Sequence, residues 1–123
     1  MIAKSKIQNR KSKIGKRDLT IDIHAHFFPE AYLRLIDEEG APFGLSLRRD
    51  NSKGPILLTG VANFGPLRAD FWDPEIRLKE MDRQKVRIHA LSLTAPMAYP
   101  ADGPLGLKLA QAWNDAEIGR AHV

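Results

Sequence analysis

Two histidines one residue apart, His24 and His26, sit in the stretch "TIDIHAHFFPE", residues 20–30. Neutral imidazole is a common metal ligand, and spacing decides whether two of them can share an ion. Leu19, Ile21 and Ile23 alternate with Thr20, Asp22 and His24, a period of two that predicts a buried strand. In a strand, residues i and i+2 project from one face. At about 3.3 Å per residue, the two histidine side chains leave the backbone roughly 6–7 Å apart. Two ring nitrogens can then meet one ion at about 2.0–2.1 Å. The same spacing also fits a strand that carries two polar residues near its end. Pro29 cannot donate to a sheet ladder, so the strand is expected to stop just before it. The pair then lies at the carboxyl end of a strand, where α/β folds place their chemistry.

Other residues could join the histidines. Asp22 shares their face and is expected to point inward. There it either orients a ligand or serves as a buried, hydrogen-bonded structural carboxylate. Phe27, Phe28, Met97 and Tyr99 follow strand ends and either line a pocket or pack as core and loop. His89 lies in mid-strand and reads as a satisfied core or interface histidine.

Composition narrows the choices. The chain has 123 residues, enough for one small domain, and no cysteine. Disulfides and cysteine zinc sites are excluded, so any metal is held by His, Asp or Glu. No apolar run approaches the ~20 residues that cross a bilayer. The formal charge is +4, which suggests nucleic acid until the charges are located. Residues 1–17 hold seven Lys/Arg and no acid, and the remainder carries 12 basic against 15 acidic side chains. The basicity belongs to that tail. The tail repeats "KSKI" at 4–7 and 11–14, lacks an apolar signal core, and reads as disordered. It is either a solvated arm or translation from a start codon too far upstream. A cytoplasmic protein with neither a membrane nor a nucleic-acid partner is expected.

The elements that must position these residues follow in order. Residues 30–38 predict a short helix, with Tyr32, Leu35 and Ile36 on one face and Gly40 as its stop. Residues 41–70 are rich in Gly, Pro and Asn around "PILLTGV" and predict short strands or a hairpin, an excursion from the core. Asp73 is a helix N-cap and Pro74 its first residue. That helix should reach about Gln84, with Leu78 and Met81 inward. Val86–Leu93 predicts a second buried strand. After the Pro96–Pro100 loop, a helix from about 104 places Leu105, Leu109, Ala112 and Trp113 on one stripe. Strand, helix, strand, helix is the start of a parallel α/β fold.

The blocks "IDIHAHFFPE", "FWDPEIRLKEMDRQKV", "HALSLTAPM" and "LAQAWNDA" resemble the amidohydrolase-2 branch of the amidohydrolase superfamily, the group of the aminocarboxymuconate-semialdehyde decarboxylases. The resemblance covers residues 18–116. It implies a metal-dependent (β/α)₈ barrel, of which this chain supplies about two βα units plus a small hairpin insertion. Such a barrel needs about 250 residues. The resemblance further implies that His24 and His26 are the first two ligands of one divalent ion, zinc or else manganese. Later strands in the family supply another histidine ligand, an aspartate ligand and a proton-transferring histidine. His89 and His122 match none of these, so no catalytic residue is expected within the chain itself. Lys85 stands where relatives have the glycine that ends the helix.

Three readings of function follow from this resemblance. The first is an N-terminal portion of a non-oxidative decarboxylase of small unsaturated or aromatic carboxylic acids, homo-oligomeric as a whole protein. The second is a lactone or amide hydrolase of the same family. The third is an inactive stand-alone module in which the histidine pair is a relic. The semialdehyde decarboxylases carry a carboxylate-binding arginine in an Asn-Phe-Arg-Pro segment. Here the segment is "NFGP", with Gly65 in that place and Arg68 as a possible substitute. Finally, "IGRAHV" followed by a stop is one reading frame of a common short-read sequencing adapter. Residues 117–123 are therefore expected to be adapter-derived and are set outside the fold.

Overall fold

A computed structural model describes residues 2–4 and 20–121. Among the described residues, six strands and three α-helices follow one another: β1 (Ile2–Lys4), β2 (Ile21–His26), α1 (Glu30–Glu39), β3 (Ser46–Arg48), β4 (Ile56–Leu58), β5 (Asn63–Phe64), α2 (Pro74–Gln84), β6 (Ile88–Ser92) and α3 (Gly103–Ala121). Together they make a mixed α/β arrangement with two small sheets.

The sheet that carries the histidines has the order β1-β6-β2. β2 and β6 are parallel, with Ile21 opposite Ile88 and Asp22 opposite His89. The register then slips, and Ala25 faces Leu91 and His26 faces Ser92. One extra residue in β2 makes this a bulge. β1 pairs antiparallel with the other edge of β6, Ile2 opposite Ala90 and Lys4 opposite Ile88. The expected disordered tail of residues 1–17 therefore includes a short paired strand. Residues 5–17 lie outside the described residues.

The helices end where their capping chemistry dictates. Both Glu75 and Ile76 donate their backbone N–H to Asp73 Oδ1, at 2.9 and 3.2 Å, which satisfies two orphan donors at the start of α2. Pro74 occupies the first helical position. α2 ends at Lys85 in the left-handed conformation, φ 59°. After α1, Gly40 is required by close approach. A Cβ there would lie 2.5 Å from the Ile36 carbonyl oxygen and 2.7 Å from that of Leu45.

The main core differs from the expected one. Phe28, Tyr32, Leu33 and Ile36 pack with Leu105 and Leu109 of α3, and also with Leu45, Leu57 and Leu67. The segment 41–70, expected as an excursion, thus supplies three buried leucines, each worth about 1.5–3 kcal/mol of burial. Its antiparallel sheet, order β3-β4-β5, closes one side of α1. Conversely, the apolar face of β2 is open, with Ile21 49% and Ile23 83% exposed. β2 is an edge strand among the described residues, and the bulge breaks its alternation. Ala25, Phe27 and Leu91 form a separate small cluster. In α2, Met81 is buried as expected and Leu78 half-buried, but Arg77 is buried as well. The backbone of α3 runs on through Ala121, into the segment read as adapter-derived. Among the described residues, no helix is long and apolar enough to cross a membrane.

Lys85→Gly should stabilise the chain by about 0.5–1 kcal/mol. The left-handed conformation costs an L-residue roughly 1–2 kcal/mol, and glycine's extra chain entropy returns part of that. An upward shift of the urea midpoint at unchanged slope checks this.

Candidate metal centre

The histidine pair converges as its spacing requires. His24 Nε2 and His26 Nε2 lie 3.1 Å apart, the rings edge-to-face with centroids 4.9 Å apart. β6 sets the orientation of His26. Nδ1 of His26 is 3.3 Å from the Ser92 carbonyl oxygen and 3.0 Å from Ser92 Oγ. A carbonyl can only accept, so Nδ1 carries the proton and Nε2 is left with its lone pair. That lone pair is turned toward His24, whose Nε2–H donates to it. A metal ion fits this donor set: two nitrogens 3.1 Å apart can both sit about 2.0–2.1 Å from one ion. Among the described residues, no group of three or more His, Asp or Glu is arranged to hold a metal, so the pair is a partial site. Ser92 escaped the sequence reading. Its signal was its place at the end of the second strand, opposite the histidines.

Asp22 serves the pair through the backbone. Its Oδ1 accepts the His24 N–H at 2.9 Å, within the bulge. Its side chain is 41% exposed rather than buried, and it does not reach either ring. Behind it stands an arginine that the sequence reading missed. Arg77 is buried and donates Nη2–H to the His26 carbonyl oxygen. Its Nη1 lies 3.0 Å from His89 Nδ1, and its guanidinium packs 5.5 Å from the Phe27 ring centroid. The clue was its place four residues before Met81, on the same helical face.

His89 is buried, as expected, but only half satisfied. Guanidinium has no acceptor, so His89 Nδ1 must accept from Arg77 and its proton sits on Nε2. That N–H is buried without a hydrogen-bond partner, and Asp22 Oδ2 is 3.8 Å away. Burial first, and the Arg77 charge second, push the His89 pKa below its ordinary value, against weaker pulls from Asp22 and Asp70.

Two adjoining cavities open here and share Arg68 and Phe71. The smaller, about 200 Å³, is bordered by Asp22, His24, His26, Arg77 and His89. The larger, about 400 Å³, is bordered by Phe28, Phe64, Gly65, Leu67, Arg68 and Thr94 among others. Phe28 both borders this cavity and packs in the main core. Met97 and Tyr99, read as its companions, border neither cavity, and Tyr99 is 85% exposed. Met97 acts through its carbonyl oxygen, which accepts the Tyr32 hydroxyl at 2.6 Å; Thr94 and Ala95 of that loop line the cavity instead.

Gly65 has φ +128°, and a Cβ there would meet Leu67 N at 2.8 Å and the Pro55 carbonyl oxygen at 2.9 Å. An arginine cannot occupy this backbone unless the chain shifts. Arg68 donates from Nε and Nη2 to the two oxygens of Asp70, at 3.0 and 3.2 Å, so its charge is already matched.

No family model matches the sequence. The chain is 34% identical over 101 residues to the 2-amino-3-carboxymuconate-6-semialdehyde decarboxylase of Dictyostelium discoideum, over 80% of this chain and 28% of that protein. It therefore spans little more than a quarter of the length of the curated relative it matches.

The lowered His89 pKa predicts a pH dependence. Below about 6.5, the unfolded chain takes up a proton at His89 that the folded chain resists. Stability is therefore lost as pH falls from about 6.5 toward the folded pKa, and no further below it. In His89→Gln the loss between pH 7 and 5 should be smaller, as measured by denaturation midpoints at each pH.

Proposed function

We propose that His24 and His26 are two ligands of a divalent ion, zinc or else manganese, in an amidohydrolase-2 type decarboxylase. Its substrates are small unsaturated or aromatic carboxylic acids. The observation that carries this reading is the 3.1 Å approach of the two Nε2 atoms, with Ser92 turning the His26 lone pair into the gap. The identity to a decarboxylase over most of the chain supports the reaction class and family. Zinc sites normally take three or four protein ligands, so the whole protein, a (β/α)₈ barrel and a homo-oligomer, supplies the others. A bound ion would supply a Lewis acid for a substrate oxygen. The residues of this chain would hold and orient that ion. They also wall the adjoining cavity with Phe28, Phe64 and Phe71, flat faces suited to an unsaturated acid.

One observation favours a second reading. The guanidinium beside the larger cavity, Arg68, is engaged by Asp70, and Gly65 replaces the arginine expected to bind a carboxylate. A neutral lactone or amide needs no such cation, so hydrolysis is the runner-up.

Titration of the 123-residue chain with zinc should give one weak site that dialysis against a chelator empties. His24→Ala and His26→Ala should each abolish it. Binding that survives His26→Ala would overturn the ligand assignment.

For the whole protein, the decisive assay sets the aminocarboxymuconate semialdehyde beside hydroxybenzoates, carboxylated lactones and amides. The semialdehyde should be a poor substrate, at least tenfold below the best acid, since a missing bidentate arginine–carboxylate contact costs about 1.5–3 kcal/mol. Failure on every acid, with turnover of a lactone or amide, would move the answer to hydrolase.

A further inference from the structure

We propose that Arg77 and His89 are positioning residues, a buried brace that sets the separation of His24 and His26. This rests on reading the pair as ligands of one ion. The brace reaches each histidine through its backbone. On one side, Arg77 Nη2–H donates to the carbonyl oxygen of His26. On the other, Arg77 Nη1–H donates to His89 Nδ1 at 3.0 Å, and His89 Nε2–H faces Asp22 Oδ2 at 3.8 Å. The second oxygen of Asp22 holds the His24 N–H at 2.9 Å. One guanidinium on α2 is thus bonded to the His26 position and stands one open contact, His89 to Asp22, from the His24 position.

Two details make this more than packing. The donors of arginine fix the His89 tautomer, which aims an N–H, and not a lone pair, at Asp22. His89 is thereby excluded as a metal ligand in this arrangement, although it borders the same cavity as the pair. That N–H is buried without a partner, and Asp22 is the carboxylate in front of it. A small rotation of Asp22 closes the 3.8 Å gap into a charge-assisted bond and draws the His24 backbone with it.

The test uses the full chain, with zinc ion as the probe against a chromogenic chelator. Arg77→Met and His89→Leu should weaken zinc binding about 10–100-fold, the usual range for groups that hold ligands in place. His89→Gln should restore most of it, since its carbonyl can accept from Arg77 and its amide can donate to Asp22. Leucine and glutamine variants that bind alike would overturn the brace, as would Arg77→Met within twofold of the unsubstituted chain.

Nitrogen-15 NMR of the unsubstituted chain covers variants that fail to fold. A His89 proton on Nε2 supports the brace, and one on Nδ1 overturns it. If His24→Ala and His26→Ala left zinc binding unchanged, the metal reading would fail by itself. The brace would then be judged on the His24 and His26 ring signals. Shifts in His89→Leu that His89→Gln reverses uphold it, and their absence refutes it.

Discussion

The parallel pairing of β2 with β6 carries one extra residue in β2, and the rest of the site hangs on that register. An unbroken ladder starting at Asp22 opposite His89 would bring Ala25 opposite Ser92. The bulge instead brings His26 there. Only then can Ser92 meet the His26 ring from the neighbouring strand. Within the bulge, the exposed His24 amide turns to a side chain two residues back. Asp22 Oδ1 accepts that N–H at 2.9 Å and so holds the local turn of the chain. A carboxylate two residues before the first histidine is therefore part of the backbone geometry that presents the pair.

Burial of Arg77 adds a second constraint of the same kind. Taking a charge out of water costs several kcal/mol unless its donors are satisfied. The His26 carbonyl, His89 Nδ1 and the Phe27 ring that Arg77 meets all belong to β2, β6 or the residue just after β2. They come together only when the two strands are in register and α2 is docked. The arginine thus penalises a slipped register more than an apolar residue would. Asp73 contributes from a distance, because its cap fixes where α2 begins and so which helical position faces the strands.

Periodicity and capping made much of this legible in the sequence. The strand ending before Pro29, the helix from Asp73 and Pro74 to Gln84, and a second strand within Val86–Leu93, observed at Ile88–Ser92, follow from residue type and spacing. So does the closeness of the two histidines in the strand, to which the bulge and Ser92 add the ring orientation. What stayed hidden depended on tertiary partners. Arg77 reads as a solvated charge until its acceptors on two strands are known. Ser92 is an ordinary strand residue until the register is known. The three leucines of 41–70 were masked by surrounding Gly, Pro and Asn, which describe turns and say nothing about what the intervening residues pack against. Tyr99 erred the other way: following a strand end is a weak guide to which loop residues turn inward.

The two cavities divide the chemistry between a polar corner and an apolar chamber, with Arg68 and Phe71 at the boundary and the chamber walled in part by Gly65. Its positive φ and the close approach of Leu67 and Pro55 let the chain fold tightly over the chamber. They also leave no room for a side chain at this position. Arg68 stands at the shared border, but its fork is closed by Asp70. A carboxylated ligand therefore gains selective attraction here only by competing with Asp70 for that guanidinium. A ligand with a flat apolar body meets Phe28, Phe64 and Phe71 without any such competition. Selectivity at this end of the molecule is thus set more by shape and apolar contact than by charge.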